Sequence, residues 1–245
     1  MRAWRGFVDR GAAPGLDSNP AGRSIPISSS LARAATAGHH VGMLRTPNGP
    51  PVATGLRVEA ASGRLLGARL VESPNCDDRP PGQEPELIVI HGISLPPGEF
   101  GGPWIDALFT NVLPVDAHPY FGTLAGLRVS AHLLVRRDGT AVQYVPFDRR
   151  AWHAGASQWR GRERCNDFSI GIEIEGTDAS GYERAQYATL ARIVAGLCRA
   201  YPALSPGRVV GHSDVAPGRK SDPGIAFDWP LLHTLVHLEL EAGPP

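Results

Sequence analysis

The run Glu86-Leu87-Ile88-Val89-Ile90-His91 constrains the fold more than any other stretch of the chain. Continuously apolar and largely β-branched between Pro85 and Gly92, it predicts a strand buried on both faces, which requires a sheet covered on its two sides. The strand ends on His91, at the carboxyl edge where open α/β sheets place their sites. A second stretch, Ser169-Ile170-Gly171-Ile172-Glu173-Ile174-Glu175-Gly176, alternates strictly, so Ile170, Ile172 and Ile174 share one face and Gly171, Glu173 and Glu175 the other. Two acids beside glycines on an otherwise apolar strand predict the floor of a polar cleft, with the glycines leaving space above it.

Between and after these strands the pattern changes in ways that build an α/β domain. Ser94 to Gly102 is a Pro- and Gly-rich loop over the strand end, and Pro103 opens a short helix carrying Trp104, Ile105, Leu108 and Phe109. Asp138-Gly139, set between Ala131–Arg137 and Thr140–Val145, predicts a β-hairpin whose first strand is headed by His132. Glu183 to Tyr201 is an amphipathic helix striped by Leu190, Ile193, Val194 and Leu197 and ended by Pro202. Arg208-Val209-Val210 is a further strand. Phe227 to Leu240 closes the domain as a helix with Leu231, Leu232, Leu235, Val236 and Leu238 inward and His233 and His237 on its surface.

Residues 1–57 lack this periodicity and are rich in Gly, Pro, Ser, Ala and Arg. They are expected to form a disordered extension, with His39 and His40 as solvated side chains and Met43 as an alternative start, ahead of a domain at 58–245. The charges balance, with 24 Lys+Arg against 24 Asp+Glu, so nothing draws the chain toward nucleic acid or an anionic membrane. Three dispersed cysteines without a C-x-x-C argue against disulfides and thiolate metal sites and for a reducing compartment. No apolar run reaches the ~20 residues of a membrane span and no secretory core is evident, so a monomeric cytoplasmic protein is expected.

The chemistry is concentrated in Gly211-His212-Ser213-Asp214-Val215-Ala216-Pro217-Gly218-Arg219-Lys220-Ser221-Asp222-Pro223-Gly224. Its Pro and Gly residues predict turns that hold polar side chains in a cleft rather than along a helix. A catalytic zinc takes three protein ligands and leaves a position to water, and His91, His212 and one of Asp214 or Asp222 fit that inventory; spacing does not choose between the aspartates. Glu173 or Glu175 is suited to accept a proton from water, and Lys220 to stabilise developing negative charge. Trp152, in Trp152-His153-Ala154-Gly155, offers a face for a sugar ring, and Arg162, Arg164 and Asn166 form the neighbouring polar loop. That set describes an amide hydrolase.

His91-Gly92-Ile93-Ser94-Leu95-Pro96-Pro97-Gly98-Glu99-Phe100, Trp152 to Gly155, Gly161 to Glu173 and the 211–224 loop together resemble the cytoplasmic 1,6-anhydro-N-acetylmuramyl-L-alanine amidases. These are zinc-dependent type 2 amidases, related to peptidoglycan recognition proteins, and the likeness covers roughly residues 58–240. The resemblance implies a central mixed β-sheet flanked by α-helices, Zn2+ held by His91, His212 and Asp222, Glu173 as the base and Lys220 as the stabiliser of the tetrahedral intermediate. It further implies that Arg164 holds a stem-peptide carboxylate, that Trp152 lies against the anhydro-sugar, and that the substrate is a recycled muropeptide. One departure is Gly92, where the family commonly has asparagine, which points to a missing side-chain contact with substrate. Two other readings share these residues: an exported amidase acting on intact murein, and a peptidoglycan-binding module without catalysis.

Overall fold

The computed structural model describes residues 55–243. The N-terminal extension up to residue 54, with His39, His40 and Met43, lies outside the described residues. Leu56 packs into the main core and Arg57 pairs with Leu66 in a short antiparallel ribbon, so the packed unit includes both.

Six strands form the central sheet: β1 (Arg69–Leu70), β2 (Leu87–Ile93), β3 (Leu133–Val135), β4 (Ala141–Gln143), β5 (Ser169–Glu175) and β6 (Val209–Gly211). Their order is β6-β2-β5-β3-β4-β1, parallel except for the β3–β4 pair, which makes the sheet mixed. Leu87, Ile88, Val89 and Ile90 are all fully buried, as a central parallel strand requires. Among the described residues four α-helices accompany it: α1 (Trp104–Phe109), α2 (Arg184–Ala200), α3 (His212–Val215) and α4 (Trp229–Ala242).

The even-numbered residues of β2 and β5, Ile88, Ile90, Ile170, Ile172 and Ile174, pack against Leu190, Ile193, Val194 and Leu197 of α2 and Leu232 and Val236 of α4. The odd-numbered residues face the other way, where Leu87 and Val89 meet Phe168, Cys165 and Val215, and Leu134 of β3 joins Ile105, Leu108 and Phe109 of α1. His91 and Glu173 are register partners on this second face, away from the two long helices. Gln186 ties the layers together: its side-chain oxygen accepts from the Glu183 N–H at the start of α2, and its amide donates to the carbonyls of Val135 and Glu175.

Three expectations need correction. The hairpin strands are shorter than the sequence pattern implies: the ladder ends at Val135↔Ala141, one more bond runs from the Arg136 N–H to the Thr140 carbonyl at 2.9 Å, and Arg137-Asp138-Gly139 forms the three-residue loop, with Gly139 at φ +86°. This is the turn in which glycine supplies the left-handed residue. The 211–224 segment is not turns throughout, because His212–Val215 makes one helical turn, with Asp214 accepting from the Gly211 N–H at 2.7 Å. Leu238 of α4 is 53% exposed, so the inward stripe is Leu232 and Val236 with Leu231, Leu235 and Leu240 at its margins.

Candidate active site

β2 and β6 are adjacent parallel strands, so the residues at their carboxyl ends are delivered to one edge. His91 lies near the end of β2 and His212 immediately follows β6. Asp222 returns to them because the Ser213 N–H donates to the Asp222 carbonyl at 3.0 Å, pinning the far end of the loop to α3. The result is a tight triangle: His91 Nδ1 and His212 Nδ1 are 2.9 Å apart, and Asp222 Oδ2 is 3.2 Å from the first and 2.9 Å from the second. Both rings are buried, and Asp222 is 15% exposed. Asp214 points elsewhere, spent on the Gly211 N–H.

The donor set itself calls for a cation. His212 Nε2 lies 3.2 Å from the Ala154 carbonyl, which only accepts, so a neutral His212 carries its proton there and presents a bare Nδ1. A bare nitrogen 2.9 Å from a carboxylate oxygen is a contact between two acceptors, relieved only by positive charge between them. Tetrahedral ligation by nitrogen and oxygen at ~2.1 Å separates ligand atoms by about 3.4 Å, close to the distances in this triangle. Among the described residues, His91, His212 and Asp222 therefore fit a metal ion.

Burial sets the protonation of the surrounding groups. It lowers His91 to about 4, with His212 adding to the effect, and it holds His153 well below the ordinary histidine range. Glu173, on the same face as His91, is pushed up to about 8 by burial and by Asp222, with Lys220 opposing. Its Oε2 is buried without a hydrogen-bond partner. Lys220, two residues before Asp222, is brought down to about 8 by burial. A buried acid with one unbonded oxygen beside a metal-binding triangle and a lysine of depressed pKa is an arrangement suited to moving protons at a reacting carbonyl.

Glu175, the other acid of the same face, is fully engaged. Its carboxylate accepts from Gly101 N–H at 2.7 Å and Arg137 N–H at 3.2 Å and pairs with Arg136 at 3.1 Å, so it anchors the 94–102 loop. The space that the glycines were expected to leave above β5 is filled. A Cβ on Gly171 would lie 2.4 Å from the His153 ring, and one on Gly176 would lie 2.4 Å from the Tyr182 ring. Tyr182 also explains the glycine at 92, since a Cβ there would meet its hydroxyl at 2.6 Å, and that hydroxyl donates to the Pro223 carbonyl beside Asp222.

His132 immediately precedes β3 and is a packing residue: fully buried, it accepts from the Gly171 N–H at Nδ1, and burial and Arg79 lower it to about 3. Trp152 is partly buried and donates its indole N–H to Asp77. Arg164 has a left-handed backbone at φ 62°, is 68% exposed at the side chain and pairs with Asp167. With Gly155, Ser157, Val215, Pro217 and Arg219 it lines a hollow of about 510 Å³. Sequence reasoning missed the parts that support the triangle. These are His153, Ser169 and Asn166, whose Oδ1 accepts from the N–H groups of both His153 and Ala154.

The family of N-acetylmuramoyl-L-alanine amidases matches residues 81–225, which span the triangle, Glu173 and Lys220. The chain belongs to that family. Among relatives of this amidase, the 1,6-anhydro-N-acetylmuramyl-L-alanine amidase AmpD of Salmonella typhimurium is 61% identical over 176 residues, covering 72% of the chain and 94% of the relative. AmpD of Escherichia coli is 60% identical over 177 residues, covering 72% and 96%. The crystal structure of a selenomethionine AmpD derivative superimposes with a TM-score of 0.70 at 59% identity, covering 71% of the chain and 97% of that structure. No helix among the described residues of the amidase is long and apolar enough to cross a membrane.

Proposed function

We propose that this amidase uses zinc to hydrolyse the amide between the lactyl group of 1,6-anhydro-N-acetylmuramic acid and L-alanine, acting on muropeptides recycled from the cell wall in the cytoplasm. The observation that carries this reading is the triangle of His91, His212 and Asp222 beside Glu173, in a chain 61% identical over 176 residues to an amidase named for that bond. His91 and His212 would hold the ion through Nδ1 and Asp222 through Oδ2. When bound, zinc supplies Lewis acidity toward the amide carbonyl and the attacking water.

The remaining work falls to the chain. Glu173 takes the proton of the water as it attacks; its carboxyl, with Oε2 unbonded, sits high and drops into a useful range when a cation occupies the neighbouring triangle. It then returns the proton to the leaving amine of L-alanine. Lys220 stabilises the negative charge that develops on the carbonyl oxygen. Arg164, exposed beside the 510 Å³ hollow, is assigned to a stem-peptide carboxylate, and Trp152 to the anhydro-sugar.

Zinc-loaded protein incubated with anhydro-muropeptide is expected to release the peptide, whereas intact sacculi are expected to be poor substrates. Zinc binding without cleavage would leave a binding module, and preferential release from sacculi would point to an amidase of intact murein. Asp222→Ala is expected to lose both zinc and activity, and Asp214→Ala to keep both at a cost of about 1 kcal/mol in stability from the lost cap.

A further inference from the structure

We infer that His153, backed by Ser169, is a positioning residue that fixes which nitrogen of His91 carries its proton, and so presents a bare Nδ1 to His212 and Asp222. The inference rests on reading that triangle as a metal site. Hydrogen-bond polarity carries it. Ser169 Oγ lies 2.6 Å from the Cys165 carbonyl, which only accepts, so the hydroxyl's single proton is committed there. The 3.1 Å contact between Ser169 Oγ and His153 Nε2 is then an acceptance by the serine, and the proton of His153 sits on Nε2. His153 Nδ1 is left as an acceptor 2.9 Å from His91 Nε2, which donates to it. His91 Nδ1 is consequently the unprotonated nitrogen, and it is the one that faces Asp222 and His212.

The opposite polarity fails at the serine end. Were Ser169 to donate to His153, its oxygen would stand 2.6 Å from a carbonyl oxygen with no proton between them. A second proton on His153 would create a buried imidazolium with no carboxylate among its hydrogen-bond partners. The chain of contacts ends on a backbone carbonyl, which neither titrates nor rotates, and every side chain along it is buried.

The ring of His153 is seated with little freedom. Only a glycine at 171 admits it, and Asn166 clamps the backbone N–H groups of His153 and Ala154 through one oxygen. Ala154 also supplies the carbonyl that fixes His212. One two-residue segment therefore orients both histidines of the triangle, the first through a side chain and the second through the backbone. Partners of this kind raise ligand basicity and lock ring orientation, and losing one costs about 10–100-fold in metal affinity.

The direct test is long-range 15N–1H NMR of the imidazoles in the unaltered protein, metal-free and zinc-loaded. His153 is expected in the Nε2–H form in both, and the Nδ1–H form would overturn the inference. Zinc affinity by chelator competition is expected to fall about 10–100-fold in His153→Phe, less in Ser169→Ala, and to recover in part in His153→Asn, whose amide oxygen stands near the lost Nδ1. Wild-type affinity in a folded His153→Phe would overturn it as well. If that variant does not fold, the NMR measurement decides alone. A wild-type protein that binds no zinc would sink the metal reading, while the tautomer of His153 in the metal-free protein would still report on the relay.

Discussion

Midway along β5, Glu173 is buried with one oxygen unbonded and its carboxyl pushed up to about 8. Two residues on, Glu175 projects from the same face, is 1% exposed, and is bound by two backbone N–H groups and Arg136. The two acids have the same type, strand and face, yet one is held ready and the other is spent. Their neighbours make the difference. Over Glu175 the 94–102 loop and the β3–β4 turn close down and deliver donors, whereas Glu173 sits between His91 on β2 and Leu134 on β3, neither of which satisfies it. An unsatisfied buried polar group costs about 1–3 kcal/mol, and a fold keeps one where chemistry uses it. The aspartates of the 211–224 segment divide similarly, Asp214 capping a backbone and Asp222 closing the triangle.

The sharpest way to break this comparison is to neutralise each acid in turn. Glu173→Gln is expected to lower kcat by about 10²–10⁴-fold while zinc affinity and thermal stability hold, and wild-type turnover would remove Glu173 from the reaction. Glu175→Gln is expected to do the reverse. Breaking its buried pair with Arg136 should cost about 3 kcal/mol in denaturant unfolding, with turnover per folded molecule retained.

Acid titration probes the amino end of β5, where His132 accepts from Gly171. Folded His132 sits at about 3, and the unfolded side chain titrates near ~6.5. Between those values the unfolded chain binds the extra proton. The stabilisation is therefore complete above pH ~6.5 and is lost as pH falls toward 3. The His132 share of that loss is about 2 kcal/mol between pH 6.5 and 4.5, and in NMR titration of metal-free protein its ring is expected to stay neutral at pH 4.5; an imidazolium signal there would show that His132 is not held neutral.

The finest contrast is between the two glycines. Gly171→Ala and Gly176→Ala each drive a methyl group into a ring and are each expected to destabilise by about 2 kcal/mol. Only Gly171→Ala should also weaken zinc binding, because its ring belongs to His153 and that of Gly176 to Tyr182. Equal zinc affinity in the two variants would separate His153 from the site.

Much of the scaffold was legible because it follows from local periodicity. The β2 run, the alternation of β5 and the stripe of α2 each occur within a few turns or pleats of chain. The shortened hairpin, the single turn of α3 and the exposure of Leu238 were not, since they depend on how neighbouring segments pack. At the site, residue type singled out His91 and His212 as chemistry-bearing and left Glu173 and Glu175 as alternatives that only the family likeness separated. Choosing Asp222 over Asp214 required a family likeness, and the structure adds a reason in the hydrogen bond that occupies Asp214. His153 entered only as a member of the Trp152–Gly155 cluster and without a role, because a histidine in a Trp-His-Ala-Gly turn shows no sign of a serine sixteen residues away or of the glycine that makes room for it.

The sequence by itself determined which segments become buried strands and helices, because apolar spacing selects the face each must hide. It also determined that histidines and acids stand at strand ends and loops, where a site is built. Only the tertiary structure decided which of those groups meet. His91 and His212 are 121 positions apart, and no local rule brings them to 2.9 Å. The sheet order does so by laying β6 beside β2. Once they meet, hydrogen-bond polarity and the space above each glycine assign the roles, and both depend on the groups that the fold places opposite.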